Sequence, residues 1–178
     1  MKVQLEGKEI EITNEPQTIA QIFAKELEEN DRIIACNCNN EIKSLNYIPK
    51  QNDHLKFVDV TSRDGRRIYI RGILYIMSMA FHECYPEALL SINYQLTNAM
   101  YCEVDNMEVT REMIDKVKQK MKVIIQKNIP IRKIEMTKQE AEKFYEKENT
   151  LRGRLQLSNK QKEEVSLYFC EDYYHYFY

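Results

Sequence analysis

The stretch Ile68–Cys102, IYIRGILYIMSMAFHECYPEALLSINYQLTNAMYC, decides how the second half of this chain folds. Its apolar residues Ile70, Ile73, Leu74, Met77 and Phe81 recur three and four apart, the spacing that lays one apolar stripe along an α-helix. Pro86 stops that helix, because proline lacks a donor N–H and disfavours helical backbone in the residue before it. Residues 89–97 and 99–104 then read as two short strands. A long helix followed by antiparallel strands predicts an α+β unit.

Toward the N-terminus the pattern changes period. Val3 and Leu5, then Ile10 and Ile12, alternate around Glu6-Gly7-Lys8, which is the two-residue rhythm of a β-hairpin with one wet face. Thr18 is placed to cap a helix whose stripe is Ile19, Ile22, Phe23 and Leu27. Strands follow at 33–36, at Glu41-Ile42 leading to Leu45, and at 55–60, with turn-forming Asn37, Asn39 and Asn40 between them. A ββαββ order in about 60 residues suggests a β-grasp. Arg63-Asp64-Gly65-Arg66 reads as the turn into the next unit, since Asp-Gly tolerates the positive φ of tight turns. The expected domains are therefore 1–62 and 66–178.

Toward the C-terminus, Thr110 caps a helix carrying Met113, Val117, Met121 and Ile124, and 131–136 forms a strand. Thr137 with Glu140 makes a capping box that opens a third helix through Phe144. Residues 166–177 supply a last strand or two. Seven of the last eleven residues are aromatic, which either completes the second core or marks an edge that further chain covers.

Composition narrows the function classes. With 43% hydrophobic and 30% charged residues, four Gly and four Pro, the chain is an ordered protein and not a linker. A formal charge of −2 excludes a mainly electrostatic nucleic-acid binder but not a local basic face. Cys36, Cys38, Cys84, Cys102 and Cys170 form an odd set without a CxxC or a nearby His at ligand spacing, so reduced thiols in a cytoplasm are expected, with neither a disulfide framework nor a metal site. No apolar run reaches the roughly 20 residues that cross a bilayer. Arg63, Arg66 and Arg67, near the start of the long helix, are candidates to bind an anion, or to pair with Asp59, Asp64 or Glu83. Lys116, Lys118, Lys120 and Lys122 recur at two-residue spacing, which scatters charge around a helix.

Val3-Gln4-Leu5-Glu6-Gly7, Thr18-Ile19-Ala20-Gln21-Ile22, Ile34-Ala35-Cys36, Asn40-Glu41-Ile42 and Asp53-His54-Leu55-Lys56-Phe57 together resemble a TGS domain, a ubiquitin-like β-grasp found at the front of threonyl-tRNA synthetases, certain GTPases and stringent-response enzymes. From Arg66 to Tyr178 the chain is similar to the second N-terminal domain of threonyl-tRNA synthetase, the editing domain also seen in alanyl-tRNA synthetase. That likeness rests on Tyr85-Pro86, on Ile92 through Tyr101-Cys102-Glu103-Val104-Asp105, on Lys127-Asn128-Ile129-Pro130-Ile131, and on Leu167-Tyr168-Phe169-Cys170-Glu171-Asp172-Tyr173.

The resemblance implies a His-x3-His pair on the long helix and a Cys-x3-His pair after the Tyr-rich strand. Counting back from Tyr85-Pro86 puts Arg71 and Tyr75 at the first pair. Counting forward from Tyr168-Phe169 puts Phe177 at the Cys, and the last His falls beyond Tyr178. The candidates for a degenerate pocket are thus Arg71, Tyr75, Tyr101, His175 and Phe177; Arg and Tyr do not titrate near neutrality as His does, and His175 lacks a paired base, so no catalytic residue is expected among them. His82, near the helix end, is read as structural or exposed.

The chain also resembles the N-terminal part of bacterial nucleoside kinases of the uridine kinase and phosphoribulokinase type, which place a TGS domain and a degenerate synthetase-like domain ahead of a P-loop kinase domain. No G-x-x-x-x-G-K-[ST] occurs here. The likeness implies a kinase domain after Tyr178, where ATP and Mg would act, and no cofactor in this chain. The leading expectation is a non-catalytic, ligand-binding or regulatory N-terminal region of an ATP-dependent uridine-type kinase. One alternative is an RNA- or tRNA-binding module related to the N-terminal region of threonyl-tRNA synthetase; a second is residual aminoacyl-tRNA editing that uses His175. The implied partners are a small molecule or RNA, with no membrane.

Overall fold

A computed structural model of the chain describes residues 2–13, 15–97, 99–148, Leu157 and 163–176. The α+β class expected from the sequence is what the chain adopts, with mostly antiparallel sheets. It divides into two compact units, residues 1–73 and 74–178.

In the first unit, β1 (Lys2–Leu5) and β2 (Lys8–Glu11) form the expected hairpin. Its turn runs through Glu6 and Gly7, both at positive φ (50° and 84°), as a two-residue turn matched to strand twist requires. Thr18 caps the next helix in a full capping box with Gln21. The single helix expected as far as Leu27 is instead two, α1 (Ile19–Ile22) and α2 (Ala24–Glu29). The backbone leaves helical geometry at Phe23, whose ring is buried edge-on to Phe57 with centroids 5.5 Å apart. Seating that ring in the core outweighs the modest gain from a continued helix turn.

Strands β3 (Ile33–Cys38), β4 (Glu41–Lys43) and β5 (His54–Asp59) complete a five-stranded sheet ordered β2-β1-β5-β3-β4, with β1 and β5 parallel. Its core is Val3, Ile19, Phe23, Cys36, Cys38 and Leu55. Cys36 and Cys38, two apart on β3, share the buried face.

One buried carboxylate organises the connection into β5. Asp53, 6% exposed, accepts hydrogen bonds from the Lys50 N–H (2.8 Å), the Asn39 side-chain amide (2.7 Å) and the Tyr47 hydroxyl (3.3 Å). Burial alone would raise its pKa, but these donors together with the Cys38 thiol outweigh it and hold the group below its usual 3.8.

The long helix α3 (Arg63–Cys84) starts earlier than expected. Arg63-Asp64-Gly65-Arg66 is its first turn and not a linker. Ser62 caps it, its Oγ accepting from the Gly65 N–H (3.0 Å) while its carbonyl accepts from the Arg66 N–H (2.9 Å). Gly65 is needed for proximity, because a Cβ there would sit 2.0 Å from the Asp59 carbonyl oxygen. The division between the two compact units falls between Ile73 and Leu74, inside this helix.

The second unit holds two separate sheets. Among the described residues β6 (Leu89–Leu96) and β7 (Ala99–Asp105) pair only with each other, whereas β8 (Arg132–Thr137), β9 (Glu164–Cys170) and β10 (Tyr173–Tyr176) form a three-stranded sheet ordered β10-β9-β8. Thr110 caps α4 (Arg111–Lys127), which buries Met113, Val117 and Ile124 and ends on Asn128 in the left-handed conformation. The Thr137–Glu140 capping box opens α5 (Lys138–Glu148) as expected, with the Thr137 N–H donating to Glu140 Oε2 at 2.9 Å and the Glu140 N–H to Thr137 Oγ1 at 3.2 Å. One core joins α3, α4 and the β9–β10 turn; another packs Ala141 and Tyr145 of α5 against Leu157, Val165, Leu167 and Tyr174. Among the described residues no helix is long and apolar enough to cross a membrane.

Replacing Asp53 by Ala strands buried donors, and should lower the first unit's stability by about 2 kcal/mol in urea unfolding at pH 7. Because the folded carboxyl titrates below 3.8, its contribution is complete above that value and fades as pH falls through the folded pKa. The gap between wild type and variant should therefore narrow only below about pH 4, and a gap that is constant down to pH 2 would contradict this account.

Candidate functional site

Of the residues expected to form one degenerate pocket, Tyr75 and His175 both stand beside Tyr173, while Tyr101 borders a different cleft. Arg71 is exposed on the part of α3 that belongs to the first unit. Tyr75, in the second unit, is 3% exposed. Its hydroxyl lies 3.0 Å from the carbonyl oxygen of Tyr168 and 3.2 Å from that of Tyr173, so one O–H is shared between the last two strands. The Tyr75 ring meets the Tyr173 ring edge-on, with centroids 5.4 Å apart. The position that resemblance assigns to an editing histidine is thus filled by a packed phenol. A phenol donating to backbone carbonyls offers no base to a water molecule.

Tyr173 is the hub that the sequence reading did not single out as a site residue. It is buried, and it touches Tyr75, His82 (centroids 5.7 Å) and His175 (6.1 Å). The signal was present in the alternation of Tyr173 and His175 along one strand, which puts both on one face. His175 Nδ1 is 2.6 Å from the Tyr176 carbonyl oxygen; a carbonyl only accepts, so this nitrogen donates.

His82 lines a cavity of ≈ 690 Å³ with Glu83, Pro86, Glu171 and Asp172. Two of its carboxylates are engaged: Glu83 with Lys120 at 2.6 Å and Glu171 with Lys127 at 2.9 Å. The Glu83 partner is therefore a lysine of α4, not one of the arginines weighed from the sequence. Among the described residues no group of three His, Cys, Asp or Glu is arranged to hold a metal ion.

Tyr101 lies elsewhere. It is 38% exposed on β7, its hydroxyl 3.1 Å from Glu103 Oε1, and it borders an apolar cleft between the β6–β7 hairpin and α4. Phe177 falls outside the described residues. Burial raises the pKa of Cys36, Cys102 and Cys170, and burial with Asp53 beside it pushes Cys38 up to about 11, so these four favour the thiol over the nucleophilic thiolate.

Arg63, Arg66 and Arg67 are exposed on the first turns of α3, and among the described residues neither they nor Arg71 has an ion-pair partner. Asp59 does not take one of them; its carboxylate accepts from the Thr61 N–H and hydroxyl, each at 2.6 Å.

No family model matches the chain. It is 26% identical over 151 residues to a threonine–tRNA ligase of Clostridium kluyveri, covering 84% of this chain and 24% of that protein. A threonine–tRNA ligase of Acetivibrio thermocellus is 28% identical over 152 residues, with the same coverage of each. That of Rubrobacter xylanophilus is 24% identical over 172 residues, 95% of this chain and 26% of the relative. The chain spans about a quarter of the length of these curated relatives. Its likeness to threonyl-tRNA synthetase runs through both compact units.

Tyr75→Phe keeps the ring and deletes the hydroxyl that ties α3 to β9 and β10. It should cost about 1–2 kcal/mol in denaturant unfolding. Amide exchange near Tyr168 and Tyr173 should quicken while that of the five-stranded sheet stays as in wild type. An unchanged midpoint would show that the tie contributes nothing.

Proposed function

We propose that this chain is a non-hydrolytic RNA-contacting module related to the N-terminal region of threonyl-tRNA synthetase, built from a TGS-type β-grasp and an editing-like unit that has lost its reaction. The observation that carries the binding half is the arginine face of α3. Arg63, Arg66 and Arg67 stand at i, i+3 and i+4, so they share one side of the helix. They are exposed and without an ion-pair partner among the described residues, at a helix N-terminus whose dipole favours phosphate. Likeness to ligases that act on tRNA supports the polymer, and the β2-β1-β5-β3-β4 order with its parallel β1–β5 pair supports the β-grasp. The loss of hydrolysis is supported by Tyr75, whose phenol occupies a histidine position and is committed to the fold.

The uridine-kinase expectation concerns a longer protein, in which a P-loop domain using ATP and Mg would lie outside these 178 residues; the relatives named above are ligases and lend it no support. Phosphate transfer from ATP to uridine by that longer protein is its test.

Binding should be measured by fluorescence anisotropy with labelled tRNA across a salt series. The wild-type affinity should fall as salt rises, and the R63A/R66A/R67A triple variant should bind about tenfold more weakly at low salt, with a salt slope reduced by roughly one for each arginine that meets a phosphate. Equal slopes for the two proteins would remove the arginine face from the account.

A further inference from the structure

Among the described residues the β6–β7 hairpin pairs with no other strand. A two-stranded ribbon is marginal alone in water, so its apolar side must be held by packing on helices and not by a ladder. It leans on α3 and α4 through Leu90 and Val104, which pack against the core formed by Phe81, Met113 and Val117. That closure is incomplete. A cleft of ≈ 560 Å³ remains between the hairpin and the two helices, floored by Phe81, Met113 and Val117 and walled by Met77, Met100 and Met121.

The lining is apolar apart from the Tyr101 hydroxyl, the Cys102 thiol and one charge, Lys118. The Tyr101 hydroxyl is engaged with Glu103, and burial raises the Cys102 pKa so that it stays a thiol. Lys118 is exposed and has no ion-pair partner among the described residues, unlike Lys120 on the same helix, which holds Glu83 at 2.6 Å. Val109 and Ile114, 50% and 41% exposed, continue the apolar lining outward.

Size chooses between occupants. A helix about 10 Å across would fill such a volume with little more than one turn, too little for an amphipathic partner helix to seat its face. Small-molecule sites commonly run from about 300 to 1,000 Å³. Four methionines adapt readily to a flexible apolar chain, since their unbranched thioethers repack at low cost. We infer that this cleft is a binding site for a small amphipathic carboxylate, a free molecule with a flexible apolar body among the methionines and one anionic head at Lys118. The site is distinct from both the Tyr75 position and the arginine face, and does not rest on RNA binding.

The test uses the whole chain with its eight methionines 13C-methyl labelled, titrated with dodecanoate below its micelle concentration. Saturable shifts are expected for Met77, Met100, Met113 and Met121, with Met136, which packs in the other core of that unit, unmoved. Dodecylammonium should bind at least fivefold more weakly. Lys118→Glu alters an exposed residue and should leave the free spectrum intact, yet weaken dodecanoate at least tenfold and reverse the preference for the cation. Shifts that do not saturate, equal affinity for anion and cation, or a Lys118→Glu variant that binds dodecanoate like wild type would each overturn the assignment.

Discussion

A single phenolic hydroxyl ties the second unit together. Tyr75 reaches from the middle of α3 to the carbonyls of Tyr168 and Tyr173, residues 93 and 98 positions further along the chain. Those carbonyls flank the tight turn through Glu171, which has positive φ, between β9 and β10. The turn is held from outside by Lys127 of α4, on Glu171 at 2.9 Å and 3.0 Å. Helix, turn and second helix are therefore fixed to one another by polar contacts around the buried ring of Tyr173. At Tyr75 the space is taken by two rings packed edge to edge, and the cavity beside His82 is lined by the other ring, Tyr173.

The first unit solves a similar problem with a carboxylate. Asp53 gathers the Lys50 N–H, Asn39 and Tyr47 at the entry to β5, and its charge beside Cys38 helps to hold that thiol protonated, with Tyr47 pushed up to about 12 by burial and the same carboxylate. Asp53 in one unit and the Tyr75 hydroxyl in the other are thus each partnered within the fold. Among the described residues the exposed arginines at the start of α3 and Lys118 beside the apolar cleft have no ion-pair partner.

Local signals carried far in the sequence. Thr18, Thr110 and Thr137 each cap the helix that follows them, since a side-chain oxygen three residues before a free N–H is a short-range interaction. The Glu6-Gly7 turn fixed the first hairpin's register in the same way. Arg63-Asp64-Gly65-Arg66 misled because Asp-Gly favours turns, while the Ser62 cap just ahead makes the same residues a helix start. The break at Phe23 was hidden, because its cause is a ring on β5, 34 residues away.

Sequence spacing named the candidate positions but not their surroundings. Sequence spacing placed Arg71 and Tyr75 one turn apart, yet only the fold shows one exposed and the other sealed. Tyr101 was grouped with them by resemblance, and the separate β6–β7 hairpin carries it to another cleft. The most direct test of the central claim, that packing has replaced chemistry at Tyr75, is the rate at which the purified chain deacylates mischarged tRNA specific for threonine. The account predicts a rate equal to that of buffer alone at every pH from 6 to 8.5. Deacylation that is faster than buffer and lost in a His82→Ala or His175→Ala variant would contradict it.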